Sequence, residues 1–177
     1  MTQHDSSNGT AIAKVLVALL AALTVALTMA LATSQAADAA GTKPGIIRRA
    51  VDLTPTAAGK KVAAEAAAEI RQKTAEGLQE FGVDMETIDD ATGKSVVPEG
   101  TSFRVFITNS AHPGKTFMVG RVVIDQSGHG LLALSNDRAA IAIGEALPLE
   151  PGVKPVTKIK TVVVKDSAGQ VVLKGSF

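Results

Sequence analysis

Between Gln79 and Ile88 the chain reads "QEFGVDMETI", in which Phe81, Val83 and Met85 alternate with Glu80, Gly82, Asp84 and Glu86. This period of two constrains the fold more than any other feature. Successive side chains of a strand point to opposite faces, whereas an amphipathic helix needs apolar groups at i, i+3, i+4 and i+7. A chain written this way folds as ribbons with their oily faces turned together. The rhythm returns at residues 101–109, where Phe103, Val105 and Ile107 share one face. Residues 116–124 are apolar on both faces, and Gly120 among them predicts a bulge or a close backbone approach.

The loop "DQSGHG", residues 125–130, is expected to turn the chain so that "LLALS" pairs back as a strand. Near the end, two β-branched runs flank Asp166–Gly169, a strong hairpin signal. "VVIDQSGHGLLALS" and "VVVKDSAGQVVLKGS" echo one another. Both read as hairpins, and the echo is taken as shared turn vocabulary, not a repeat. Residues 46–53 and 171–177 read as edge strands, with Lys158, Lys160 and Lys174 guarding the terminal hairpin against mispairing. Residues 89–100 carry turn chemistry throughout, as does "SAHPGK" at Pro113-Gly114. Residues 139–144, "AAIAIG", read as a short strand, and "LPLEPGVKP" as an extended loop.

The run "AAEAAAEIRQK", residues 63–73, is ambiguous. Its residues are good helix formers. Yet Ala66, Ala68 and Ile70 alternate with Glu65, Glu69 and Arg71, and "TAEG" can close a hairpin with Gly77 at positive φ. Pairing 64–73 with 78–88 sets small side chains beside Phe81, Val83 and Met85. Strand is therefore preferred to helix. The expected fold is an all-β antiparallel sandwich of about seven to nine short strands, formed by residues 46–177 as a single domain.

Residues 1–36 stand apart. Val15–Ala32 is an uncharged apolar run preceded by Lys14 and followed by small residues, the layout of an export signal. A retained membrane anchor is the alternative, since the run is near the lower length limit for a span. Residues 37–45 read as a flexible linker. The expected location is therefore secreted, periplasmic or cell-surface, with membrane contact only through the N-terminal segment. The chain has no cysteine, which excludes disulfides, thiolate metal sites and cysteine nucleophiles, so the domain must be held by its core.

The formal net charge is +1, which gives no case for nucleic acid. The charges are uneven, with nine acids against three bases in residues 65–99 and a basic half after residue 100. Solvated strand faces of opposite charge explain this. The sharper alternative is an acidic patch that binds a cation or a basic partner. The chain lacks tryptophan and tyrosine, so sugar or single-strand stacking platforms are not expected. The phenylalanines read as core except Phe106, which is out of phase with Phe103 and Val105 and could mark a contact surface.

No catalytic motif stands out. Asp125 and His129, with His112 from a neighbouring loop, form a weak three-ligand candidate for a metal, and Asp84, Asp89 and Asp90 lack the order of a calcium loop. Thr92–Ser95 mimics the end of a phosphate loop, but the required first glycine is isoleucine at position 88. Ser110 and Ser127 lie in no nucleophile elbow. No cofactor is expected, and the metal question stays open.

The stretches "GRVVIDQSGHGLLAL" and "GQVVLKGSF", with "VDLTPTAAGKK" and "QEFGVDME" earlier, resemble exported bacterial all-β domains of unassigned function. The resemblance covers roughly residues 46–177, supports strand over helix for 64–73, and brings no activity or functional residues with it. The expected function is an exported, non-enzymatic β-domain with a structural or interaction role at the cell surface or envelope. A small enzyme or enzyme inhibitor using loops at one end is the alternative. A metal- or small-ligand-binding module is a third.

Overall fold

The computed structural model describes residues 45–177. Residues 1–36, read above as an export signal, and, apart from Gly45, residues 37–45, read as a linker, lie outside the described residues. Among the described residues, no helix is long and apolar enough to cross a membrane.

The alternating stretches are strands. In chain order the elements are β1 (Ile46–Pro55), α1 (Ala57–Lys61), β2 (Glu65–Lys73), β3 (Leu78–Glu86), the two-residue strands β4 (Ile88–Asp89) and β5 (Lys94–Ser95), β6 (Ser102–Asn109), β7 (Thr116–Val123), β8 (His129–Ser135), α2 (Arg138–Ala142), β9 (Leu147–Pro148), β10 (Ile159–Lys165) and β11 (Val171–Ser176). Nine of them form one curled sheet in the order β7-β6-β10-β11-β1-β2-β3-β8-β9, and β4 pairs with β5. The architecture is all-β, with a single parallel pair among the described residues, β8–β9.

The alanine-rich run is β2. Its register sets Ala66 opposite Met85, Ala68 opposite Val83 and Ile70 opposite Phe81. Gly77 closes the turn at φ +64°. Cross-strand packing of small against large decides between helix and strand here; intrinsic propensity favoured the other outcome.

The sheet consists of two ladders joined at a narrow place. β1 pairs with β2 from Ile46 to Leu53 but with β11 only at Thr54 and Pro55. The first ladder is β1-β2-β3-β8-β9; the second is β7-β6-β10-β11. Their inward side chains meet in one core. Ile70, Phe81, Val83, Leu132 and Leu134 come from the first, and Phe103, Val105, Ile107, Val162, Val164 and Leu173 from the second. Full burial of each such side chain stabilises the fold by about 1.5–3 kcal/mol.

Three expectations are corrected. β8 does not pair back on β7; it pairs with β3, from Glu80↔Ser135 to Glu86↔His129. β11 is not an edge, because β10 and β1 flank it. Residues 138–142 of the "AAIAIG" region form α2, since the Asp137 side chain accepts from the Ala139 N–H and caps a helical turn. The proline-rich loop that follows packs onto the core. Leu149, Val153 and Val156 are buried in it. Asn109, itself buried, holds it by donating from Nδ2 to the carbonyls of Gly152, Val153 and Pro155.

Gly120 meets both expectations placed on it. The β6–β7 register shifts beside it, between Val105 and Phe106. A Cβ at Gly120 would stand 2.6 Å from Leu132 Cδ1, so Leu132 of β8 packs directly over the β7 backbone. Gly130 makes the reciprocal approach: a Cβ there would lie 2.5 Å from Val122 Cγ1 and 2.7 Å from the Val123 carbonyl oxygen. The two ends of the curled sheet thus pack together at a seam where no ladder of hydrogen bonds pairs β7 with β8.

Candidate functional site

The residues singled out by sequence do not converge. His112 sits in the 110–115 turn, at the opposite end of β7 from Asp125 and His129, which an eight-residue strand sets roughly 25 Å away. The His112 ring stands edge-on to Phe117 at 5.5 Å. Asp125 is the organiser of its own loop: Oδ1 accepts from the N–H groups of Ser127 and His129 and from the Ser127 hydroxyl at 2.6 Å. These bonds, the Ser127 hydroxyl first, hold its carboxyl below the usual carboxylate range. His129 Nδ1 lies 3.7 Å from Glu86. Asp89 accepts from the Thr92 N–H, an ordinary turn. Among the described residues, no group of three or more His, Asp or Glu could hold a metal ion.

Two shallow clefts mark the surface. One, of about 320 Å³, lies at the 110–115 turn and is lined by Ser110, His112, Lys115 and Lys160. The other, of about 250 Å³, lies on the seam between Arg121 of β7, Leu131 and Ala133 of β8, and Glu145 and Leu147 near β9. Apolar side chains face solvent beside it, as Ile47 and Val96 do elsewhere. Leu131 is 64% exposed and Leu147 55%, and Met118, Val123 and Ile143 are exposed as well. The strand edges are open there too. β7 pairs only with β6, and β8 meets β9 only at Leu134 and Ser135.

The outer faces of the two ladders carry opposite charge. On the first, Arg48 grips Glu69 through two bonds of 2.7 and 2.8 Å, and Arg71 pairs with Glu80. Toward the other end of the same face, Glu65 stands directly opposite Glu86, and Asp84 directly opposite Leu131. Among the described residues, no Lys or Arg pairs with Glu65, Asp84 or Glu86. On the second ladder, Arg121, Arg104 and Lys165 form one cross-strand row. The next row is Met118, Phe106, Val163 and Lys174. No acid occupies either row. Arg104 donates to the carbonyls of Asp166 and Ser167, and Lys165 lies 4.8 Å over the Phe106 ring.

No family model, no curated protein and no solved structure matches this chain. The sequence located the uneven charges and singled out Phe106. It missed the cation row, because Arg104, Arg121 and Lys165 become neighbours only through strand register.

Proposed function

We propose that the chain is an exported, non-enzymatic β-domain whose work is protein contact at the cell surface or envelope. In this reading residues 1–36 direct export, and the two ladders act as the layers of a flattened sandwich that presents its outer surfaces. The observation that carries it is the seam: open edges of β7 and β8 beside exposed Leu131, Leu147, Met118 and Val123. Soluble domains bury or guard such edges, and exposed apolar groups grouped with open edges mark contact surfaces. A photo-crosslinking residue in place of Leu131, in the chain expressed in its own cell, should capture a defined protein. The same residue in place of Lys94 should not. Equal, unspecific capture at both sites would end this reading. A small enzyme or inhibitor is the second reading, favoured by the cleft at the 110–115 turn with Ser110, His112, Lys115 and Lys160.

A further inference from the structure

We propose that the partner is a second copy of this chain, stacked head to tail. The cationic outer face of the second ladder in one copy lies against the acidic end of the first ladder's outer face in the next. This deepens the proposed function and rests on it.

Arg121, Arg104 and Lys165 stand side by side on β7, β6 and β10, neighbouring strands about 4.8 Å apart. Like charges opposite one another on a sheet are unfavourable unless something neutralises them. Arg104 finds carbonyl oxygens and Lys165 an aromatic face. No acid among the described residues forms an ion pair with Arg121, Lys165 or Lys174. The first ladder repeats the situation with the opposite sign, in Glu65, Glu86 and Asp84. Each face lacks what the other supplies.

Position adds to charge. Both ladders turn their inner side chains into one core, and their outer faces approach one another only at the seam, where Arg121 and Leu131 line one cleft. Among the described residues no ion pair joins the two faces within one chain, but two copies can join them. Apolar groups sit beside the charges on each side, Met118 and Val123 on one and Leu131 on the other. This supplies the desolvated contact that surface charges alone do not. The net charge of +1 leaves little repulsion between copies. The contact uses different surfaces on the two partners, so it leaves a free face at each end and can propagate. Phe106, out of phase in its strand, belongs to this face.

The test uses the full-length protein in a non-ionic detergent, followed by analytical ultracentrifugation at low and high salt. Wild type should form concentration-dependent species larger than a dimer, dissociating as salt rises. The variant Arg121→Ser/Lys174→Ser neutralises one face and Glu65→Gln/Asp84→Asn the other; all four side chains are exposed. Each variant alone should bind itself at least about tenfold more weakly. Mixed together they should form a one-to-one dimer that does not grow, because each retains the face the other lost. Circular dichroism of each variant establishes that it folds. A wild type that stays monomeric at low salt overturns the proposal, as does a mixture that forms no dimer. Binding of Arg121 and Lys174 to anionic vesicles without self-association also overturns it, in favour of a lipid surface. A monomeric wild type that still crosslinks a different protein at Leu131 sinks self-assembly and leaves the broader interaction reading standing.

Discussion

Two loops of this protein are built alike and lead to different ends. In the β7–β8 loop, the Asp125 N–H donates to the His129 carbonyl, the Gly128 N–H donates to the Asp125 carbonyl, and the Asp125 carboxylate accepts from the His129 N–H. In the β10–β11 loop the same three bonds run between Asp166, Gly169 and Gln170. Gly128 has φ +89° and Gly169 φ +84°. Yet β10 and β11 pair as a hairpin, while β7 and β8 part to opposite ends of the sheet order. The turn reverses the chain in both places; it does not choose the partner. The choice lies in the flanking strands. Gly120 and Gly130 let β7 and β8 pack face to face at close range, and β8 finds its ladder on β3. Buried Thr87, just beyond β3, fixes the loop by donating from its N–H and hydroxyl to the Gly128 carbonyl. The second loop is fixed from outside by Arg104.

The comparison can be broken first at the core. Phe81→Ala in the first ladder and Phe103→Ala in the second should each cost about 3–5 kcal/mol. Because the core is shared, both should lower one common denaturation midpoint. Two separate transitions would mean that the ladders are independent units.

The crossing of β7 and β8 is the next target. Gly130→Val drives a side chain into Val122 and the Val123 carbonyl and should cost about 3 kcal/mol, at the upper end for overpacking. Gly120→Val meets the side chain of Leu132, with no backbone atom among its three nearest contacts, and should cost less. The reverse order, read from urea titrations, would show that backbone proximity does not hold the seam.

The loops themselves come third. Alanine at Gly128 or Gly169 forces an L residue to positive φ at about 1–2 kcal/mol. At Gly128 the new Cβ also crowds Ile88 at 2.9 Å and Ser95 at 3.1 Å, whereas at Gly169 the nearest group is the Arg104 guanidinium at 3.8 Å. Gly128→Ala should therefore be the worse of the two in a thermal melt.

A smaller effect in the β7–β8 loop is read by pH. The Asp125 carboxyl is held low by its hydrogen bonds. A depressed folded pKa gives stability that is present above the unfolded value and lost as pH falls through the folded one. Asp125→Ala should lower the melting temperature slightly at neutral pH, and the gap to wild type should close in acid below the usual carboxylate range. A gap that widens there would have the wrong sign. Smallest of all is Arg48→Ala, which removes an exposed pair with Glu69. It should cost under about 1 kcal/mol and less in high salt.

The sequence alone determined most of the long strands and, where apolar and polar residues alternate, which side of each is buried; residues 139–144 and 116–124 escaped it. Alternation is local, and residues such as Phe81, Val83 and Met85 declare their shared face without reference to any partner. It also placed the turns, since Gly77, Gly114, Gly128 and Gly169 supply positive φ where the chain reverses. Beyond the two hairpins legible in the sequence, β2–β3 and β10–β11, only the tertiary structure decided which strands became neighbours. Pairing depends on side chains far apart in the chain, such as Leu132 over Gly120 or Asn109 under the 149–156 loop. The row of Arg121, Arg104 and Lys165 follows from the same cause. Period two says that Arg104 points outward, but register alone sets Arg121 and Lys165 beside it.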